Sequence, residues 1–304
     1  MKYFIITIDT EGDNLWQYRK GDPINTENTL FLPRFQDLCN KYGFKPVWLT
    51  NYEMVCDQRY VDYIKTKMEA GLCEVGIHVH AWNNPPLYKL DDIYGGNPFL
   101  IEYPKDIMRA KFKTTFDIIT KSFGKKPISH RAGRWVMNDD YFNLLEEFGV
   151  KIDCSHTPHI SWEHTPGLTV QSGSNYKDVQ ENAHFIGKVL EIPMTIRQFR
   201  LSMRGTWKHR IKTMLTGEHI WLRPASSSLK EMKNLCNRVS AEPENDYLEF
   251  MVHSSELMAG GSPYFKDEES IEMLYGNLNE LFAHVSDLGY RGATLEEYYK
   301  IKVR

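Results

Sequence analysis

The stretch KYFIITIDTEGD, residues 2–13, joins an apolar run to three acidic residues at its end. Runs of this kind, rich in β-branched and aromatic residues, are typical of a buried strand. Apolar runs also end in metal-binding residue types at GIHVHAW (76–82), HRAGRW (130–135) and MVHSSEL (251–257). Because the carboxyl ends of parallel strands meet at one edge, we expect the four polar ends to converge in one pocket.

Strand-like and helix-like patterns alternate along the chain. The strand-like runs cover 3–9, 46–50, 73–80, 127–131, 150–155, 189–196, 219–222 and 247–253. The helix-like patterns cover 31–42, 59–70, 105–123, 139–148 and 268–288, and a glycine follows each of them. This alternation predicts an α/β fold, a distorted (β/α)7–8 barrel in a single domain of residues 1–304. Irregular loops near 83–103 and 156–188 follow strand ends and are expected to wall the pocket.

The composition is that of an ordinary globular protein. It has 304 residues, 41% of them hydrophobic, and its net charge of -3 gives no reason to expect nucleic-acid binding. The five cysteines are odd in number and form no Cys-x-x-Cys pair, so we expect reduced thiols and a cytoplasmic protein. The first apolar stretch is too short for a signal peptide, and no run of about 18 apolar residues predicts a transmembrane segment. The sequence does not predict the oligomeric state.

Two pairs of polar residues have the spacing that shares one face of a strand. His78 and His80 are two residues apart, which places them about 6.6 Å apart on the same side. Asp9 and Glu11 have the same spacing at the end of the first strand. Together the pairs supply two histidines and a carboxylate for a metal ion, with a second carboxylate left for acid–base chemistry.

Other residues at the strand ends are candidates for supporting roles. His253 ends the last strand and is expected opposite the first strand, where it is a candidate general acid. Arg131 ends the fourth strand, and a guanidinium beside Asp9 would hold that carboxylate ionised and oriented. Trp82 and Trp135 are candidates for stacking on sugar rings or for packing over the barrel mouth. Further candidates for ligand contacts flank the motifs; they are His130, Arg134, His156 and Glu256.

The ordered motifs resemble those of the polysaccharide deacetylases, which form carbohydrate esterase family four. The matching positions, in chain order, are Asp9, Glu11, His78, His80, Arg131 and His253. The resemblance implies that Asp9 is the catalytic base, that Arg131 tunes it and that His253 is the general acid. It also implies that Glu11, His78 and His80 hold a divalent metal ion.

The sequence departs from the family pattern in three places. The histidines are two residues apart where the family has four, and Trp82 stands where the second would be. The segment 132–134 replaces the prolines that usually follow the arginine. The fourth family motif has no clear match, and Asp153, His156 and Trp162 are its candidates.

The resemblance implies a metal-dependent hydrolase that removes an acetyl group, an N-acetyl group first of all, from a sugar of a surface polysaccharide or its precursor. The expected cofactor is one divalent ion, zinc, with cobalt, nickel or manganese also suitable. The expected partner is an acetylated sugar or oligosaccharide. Three different functions stay open: an amidohydrolase acting on a small cyclic amide or ureide, a metal-free glycoside hydrolase using Asp9 and Glu11, and a non-catalytic carbohydrate-binding barrel. A long aromatic groove would favour a glycan, and a closed small pocket would favour a small amide.

Basic residues cluster between positions 197 and 212. They are Arg197, Arg200, Arg204, Lys208, His209, Arg210 and Lys212. Such a run is typical of a solvated face. It could instead form an anion site near the substrate, suited to a phosphate, a sugar nucleotide or a uronate.

Overall fold

The structure is a computed structural model, and it describes residues 1–19, 21–200, 213 and 217–303. Its eleven strands form a large curled sheet of nine strands and a separate sheet of two. The strands are β1 (Lys2–Thr10), β2 (Pro46–Thr50), β3 (Glu74–Val79), β4 (Ser129–Ala132), β5 (Ile152–Asp153), β6 (His184–Ile186), β7 (Val189–Glu191), β8 (Ile196–Phe199), β9 (Glu218–Trp221), β10 (Tyr247–His253) and β11 (Tyr290–Gly292). The large sheet has the order β10-β1-β2-β3-β4-β5-β7-β6, with β11 against β1, and β8 pairs with β9.

Neighbouring strands of the large sheet are parallel, apart from the antiparallel pair β6 and β7. No pairing joins β6 to β10 within the described residues, so the sheet curls into a half-barrel. Parallel strands need crossover connections, and helices supply most of them here. The predicted α/β class and distorted barrel are confirmed.

Eight helices pack around the sheet in the described part of the chain. They are α1 (Leu32–Lys41), α2 (Tyr52–Cys56), α3 (Gln58–Glu69), α4 (Lys105–Phe123), α5 (Asp139–Phe148), α6 (Leu229–Ser240), α7 (Glu268–Asp287) and α8 (Leu295–Lys302). Local sequence explains their ends: the Asn138 side chain accepts from Tyr141 N at 2.9 Å to begin α5, and Gly149 ends it with φ 76°. None of the described helices has both the length and the apolar character that a bilayer crossing requires.

Several elements differ from the predicted pattern, and α2, α8 and β11 were not predicted. The strand expected over 189–196 is two strands, because Pro193 lies between β7 and β8 and has no N–H for a ladder. The loop expected over 156–188 contains β6. Helix α6 was not predicted, although it buries Met232, Leu235, Cys236 and Val239 at helical spacing.

Alternation along β1 separates the apolar core from the interior of the half-barrel. Phe4, Ile6 and Ile8 pack against the surrounding helices, whereas Ile5 lies in a separate cluster with apolar residues of β2 and β10. Because side chains of a strand alternate, Thr7 and Asp9 follow Ile5 on its face. The interior therefore becomes more polar toward the carboxyl ends of the strands.

Candidate metal and catalytic site

Strand register brings the predicted residues together in two neighbouring pairs. Asp9 on β1 is the register partner of His253 on β10, and His78 on β3 is the register partner of Arg131 on β4. Glu11 and His80 directly follow β1 and β3. All of these side chains lie at the carboxyl ends of parallel strands, where the sequence predicted a shared pocket.

Glu11, His78 and His80 form a compact cluster of ligand atoms. One ligand atom from each lies within 4.8 Å of the other two. Nε2 of His80 lies 2.6 Å from Oε2 of Glu11, Nε2 of His78 lies 3.6 Å from the same oxygen, and the two Nε2 atoms are 3.1 Å apart. Among the described residues, no second group of three histidine, cysteine or acidic side chains approaches so closely.

The surroundings of the histidines suit a divalent cation. Nδ1 of His78 lies 2.8 Å from the backbone carbonyl of Arg131, so this nitrogen donates and the Nε2 lone pair faces Glu11. Nδ1 of His80 is buried without a partner in the described structure, and Nε2 of the same ring faces Glu11. Two imidazole nitrogens and one carboxylate oxygen are a common zinc-binding set. The residues present therefore fit the ion.

The electrostatics keep both carboxylates ionised. Burial favours the neutral form of Asp9, but the positive charges of Arg131 and then His78 outweigh burial and lower its pKa. Burial likewise opposes ionisation of Glu11, but His80 and His78 hold its pKa well below the ordinary value. Both acids can thus act as anions at neutral pH.

Arg131 is completely buried and is shared between two acids. Its Nη1 donates to Oδ1 of Asp9 at 2.7 Å, and its Nη2 donates to Oε1 of Glu249 at 2.5 Å and to Oγ1 of Thr7 at 2.8 Å. Burial raises the pKa of Glu249 to about 7. Sequence reasoning missed Glu249. The signal was an acidic residue inside the mostly apolar strand YLEFMVH, two positions after Tyr247 and therefore on the same inner face.

His253 faces the pocket with one nitrogen and a buried ion pair with the other. Its Nε2 lies 3.9 Å from Oδ2 of Asp9 and 4.0 Å from Oε1 of Glu11. Its Nδ1 lies 3.1 Å from Nη2 of Arg223 and 3.4 Å from Oε1 of Glu256. Because a guanidinium only donates, this contact places the imidazole proton on Nε2, toward the pocket.

Glu256 has a different position from the one expected for a substrate contact. Its side chain is fully buried behind His253, where it accepts from Arg223 at 2.9 Å and from the backbone N–H of His253. Burial opposes its ionisation, but Arg223 and His253 outweigh burial and lower its pKa to about 2. The structure corrects the expected position: Glu256 does not line the cavity, because its two oxygens are bonded in the interior to Arg223 and to the backbone of His253.

A cavity of about 370 Å³ opens in front of these groups. Trp82, Arg134 and Trp135 line it, and their contact with substrate stays a prediction. Trp82 also packs on His80, with ring centroids 4.3 Å apart. Trp162, a candidate for the fourth family motif, also lines the cavity. The walls that sequence reasoning did not assign are Leu15, Trp16, Asn97, Thr165, Arg223 and Tyr264.

The flanking histidines lie outside this pocket. His130 is buried between Asp153, at 2.6 Å from its Nδ1, and Tyr141, at 2.9 Å from its Nε2. His156 is also buried, and neither residue lines the cavity. The expectation that they contact ligand is corrected, because His130 points away from the inner face that its neighbour Arg131 occupies.

The basic cluster falls mostly outside the described residues, since 201–212 is not among them. Arg197 is described and does not belong to a solvated face. It is 1% exposed and pairs with Glu242 at 2.7 Å and with Glu181 at 2.9 Å.

Comparison with solved structures shows what the fold resembles. A "putative polysaccharide deacetylase" from Mycobacterium smegmatis matches with a TM-score of 0.56 and 15% identity, over 99% of this chain and 90% of that chain. A 4-alpha-glucanotransferase from Thermococcus litoralis matches with a TM-score of 0.55 and 13% identity, over 98% of this chain and 40% of that chain. An acetyl xylan esterase of family 4 from Clostridium thermocellum matches with a TM-score of 0.49 and 13% identity, over 99% of this chain and 92% of that chain.

These likenesses concern the fold. The resemblance to polysaccharide deacetylases is confirmed at that level, over nearly the whole chain. No protein-family model matches the sequence, and no curated protein does. Because a glucanotransferase has a similar fold, the side chains of the site must indicate the chemistry.

Proposed function

We propose that this protein is a metal-dependent carbohydrate deacetylase, which hydrolyses an N-acetyl group on a sugar of a surface polysaccharide or its precursor. The observation that supports this most is the convergence of Glu11, His78 and His80 within 4.8 Å at one side of the pocket. Asp9 and His253 face the same space from β1 and β10. The arrangement offers a cation site, a base and an acid around one reacting group.

The cation would be held by Glu11, His78 and His80. Zinc suits two imidazoles and a carboxylate, and cobalt, nickel or manganese could replace it. A divalent ion there supplies Lewis acidity, which polarises an acetyl carbonyl and makes water a stronger acid.

Asp9 is placed to accept a proton from water. Its Oδ1 is held by Arg131 at 2.7 Å, which leaves Oδ2 directed toward His253 and the pocket. Since its pKa is lowered, the carboxylate is ionised and available as a base at neutral pH. Its anchoring by a buried guanidinium fixes the orientation that proton transfer requires.

His253 is placed to give a proton to the departing amine. Its Nε2 lies about equally far from Asp9 and Glu11, at 3.9 and 4.0 Å. When His253 takes up a second proton, Nδ1 can no longer accept from Arg223 and its N–H faces Oε1 of Glu256 at 3.4 Å, while Nε2–H faces the pocket. The imidazolium then has an acidic partner behind it and a reacting group in front.

The shape of the pocket favours a sugar chain over a small cyclic amide. The catalytic cavity shares Trp82 and Asn97 with a second cavity of about 850 Å³. Aromatic residues border the pair of cavities; they are Trp16, Tyr18, Trp82, Tyr88, Tyr103, Trp135, Trp162 and Tyr264. Such an open aromatic groove suits an extended, amphipathic ligand.

A metal-free glycoside hydrolase and a non-catalytic barrel would each explain less of the site. The glycoside hydrolase would need Glu11 as a free acid, but His80 is bonded to it at 2.6 Å. A binding barrel without catalysis would not need the buried Arg131 and Glu256 that hold Asp9 and His253. The cytoplasmic location and the absence of nucleic-acid partners stay predictions of the sequence.

Acetate release tests the proposal directly. The purified protein should contain about one divalent ion per chain by elemental analysis. It should release acetate from N-acetylated oligosaccharides, lose this activity to a chelator and regain it with added zinc or cobalt. An O-acetylated oligosaccharide tests the acyl linkage in parallel. Failure to release acetate from every acetylated sugar by the metal-loaded protein would contradict the proposal.

A further inference from the structure

Arg134 carries the unpaired positive charge of the pocket wall. It lies in the turn Gly133–Trp135 after β4 and lines the catalytic cavity. In the described part of the chain, no acidic side chain forms an ion pair with it. The other two arginines at the site differ in this respect, because Arg131 pairs with Asp9 and Glu249 and Arg223 pairs with Glu256.

The guanidinium of Arg134 is held in a fixed orientation by neutral groups. Its Nη1 donates to the backbone carbonyl of Asn97, and its Nη2 donates to that of Pro166 at 2.8 Å. Its plane lies over Phe99, with Cζ 4.3 Å from the ring centroid. Neutral carbonyls and a ring orient the cation. Glu102 acts on it electrostatically but forms no ion pair with it, because its carboxylate accepts from Leu168 and Thr169. A guanidinium has five N–H groups, so the two bonds to backbone carbonyls leave three donors without a partner in the loop.

One of these donors is not enclosed by the protein. Nε of Arg134 has no partner among the described residues, yet it does not belong to the buried unpaired atoms. Nε of Arg223, by contrast, is buried. Arg134 is therefore the arginine of this wall whose remaining donors a ligand can reach.

The backbone supports a specific placement of this side chain. Arg134 and Trp135 have φ of 58° and 63°, which puts two successive non-glycine residues in the left-handed region. Such residues are strained and concentrate at ligand-binding sites.

Of the charged side chains that line the cavity, Arg134 is the one without an ion-pair partner among the described residues. Asp9 and Glu11 would offset the two charges of a bound divalent cation. Arg131 and Arg223 have acidic partners of their own. One cation is left on the wall that faces the substrate, and a guanidinium with several free donors suits a carboxylate or a phosphate.

From this balance we infer that the substrate carries a negatively charged group, a carboxylate or a phosphate, close to the acetylated sugar, and that Arg134 binds it. This inference rests on the proposed function and narrows its substrate class. A uronic acid next to an acetylated amino sugar would supply the carboxylate. A sugar phosphate would supply the phosphate.

Matched probes test the inference and distinguish the two sources. For the carboxylate, a tetrasaccharide of alternating glucuronate and N-acetylglucosamine is compared with the neutral N-acetylglucosamine tetramer. For the phosphate, N-acetylglucosamine 1-phosphate is compared with N-acetylglucosamine. We expect one charged probe to exceed its neutral partner in kcat/KM by about tenfold or more, the scale of a charge-assisted hydrogen bond.

Two variants separate recognition from loop positioning. Arg134→Gln should lower the charged-to-neutral ratio of kcat/KM about tenfold, and Arg134→Lys should keep part of it because the charge remains. The ratio is the readout, since displaced loops would lower both rates alike. A ratio near one in the wild type, or the same ratio in wild type and Arg134→Gln, overturns the inference while leaving the proposed function intact.

Calorimetric titration with the same probes decides the inference without turnover. If no probe releases acetate, the proposed function is contradicted. Tighter binding of a charged probe by the wild type than by Arg134→Gln would still support the anion site. Equal binding by both proteins would overturn it.

Discussion

Asp9 and Arg131 are 122 residues apart in sequence, yet Oδ1 of Asp9 lies 2.7 Å from Nη1 of Arg131 inside the half-barrel. The arginine has no exposed surface, and Glu249 holds its other terminal nitrogen. This buried bridge links β1, β4 and β10 beneath the pocket. It therefore couples the stability of the sheet to the orientation of the proposed base.

Removing the bridging cation should destabilise the fold strongly. Arg131→Met would leave Asp9 and Glu249 as buried acids without a partner, which should cost about 3–5 kcal/mol of the free energy of unfolding. Urea denaturation measures this loss. The control is Arg34→Met, which breaks the exposed pair with Glu272 and should cost less than about 1 kcal/mol. Equal losses in the two variants would contradict the assigned role of the bridge.

Substitution of Glu11 should abolish metal binding, whereas substitution of Asp9 should abolish turnover alone. Glu11→Gln should lose the ion because it removes the carboxylate ligand, whereas Asp9→Asn should keep the ion and lose turnover. Elemental analysis and acetate release measure the two properties. His78→Gln should also lose the ion. Its control is His284→Gln, because His284 is a half-buried histidine of α7 that is bonded to Asn237 and lies outside the cluster. Retention of both metal and activity by Glu11→Gln would refute the ligand assignment.

A methyl group added at Gly133 should disturb His80. An added Cβ would lie 2.4 Å from the carbonyl oxygen of Val79 and 2.9 Å from Nδ1 of His80, closer than atoms can approach. Gly133→Ala should therefore weaken metal affinity by about 10–100-fold, the usual effect of disturbing groups behind a ligand. Competition with a chelating dye measures the affinity. Gly276→Ala is the control, because an added Cβ there meets open space. Unchanged affinity in Gly133→Ala would argue against His80 as a ligand.

Glu256 should support the general acid without touching substrate. Glu256→Gln keeps the shape but removes the charge that faces Nδ1 of His253, so kcat should fall by about tenfold or more. Metal content and KM should change little, because the side chain is buried behind the pocket. Steady-state kinetics and elemental analysis provide the measurements. An unaltered kcat, or a rise in KM alone, would show that the buried carboxylate does not act through His253.

His156 should make the protein less stable in mild acid. Burial lowers its pKa to about 4, with Asp153 opposing and His184 reinforcing this shift. Since the folded-state pKa is depressed, the unfolded chain binds a proton that the folded chain does not between pH about 6.5 and 4. Stability should fall as the pH falls through this window, by up to about 3 kcal/mol from this residue.

Paired unfolding measurements isolate this contribution. Urea denaturation gives the free energy of unfolding of wild type and His156→Gln at pH 7 and near pH 4. The difference between the two proteins at each pH cancels the effect of the other titrating groups, which both proteins share. The difference between the two proteins should shrink or reverse toward acid pH. A constant difference across the window would show that His156 titrates alike in the folded and unfolded chain.

Many helices and strands could be predicted from the sequence because the residues that cause them lie close together along the chain. Helices α4 and α5 have the predicted bounds, since helical spacing and the glycines at 124 and 149 lie in the same short stretch as the helix. The split between β7 and β8 follows from Pro193, a local feature whose effect was underestimated. Helix α6 carries an apolar stripe that is itself a local sign of a helix, although it was not predicted.

The sequence by itself determined that Glu11, His78 and His80 converge, since residue type and i, i+2 spacing put them at strand ends that a parallel sheet gathers together. Their roles stay predictions. Only the tertiary structure decided that Glu249 shares Arg131 with Asp9 and that Glu256 and Arg223 stand behind His253. It also decided that Arg134, on the pocket wall, has no ion-pair partner in the part of the chain that the structure describes. Periodicity fixes which way a side chain points from its own strand, but the partner it meets depends on strand order and register across the whole sheet.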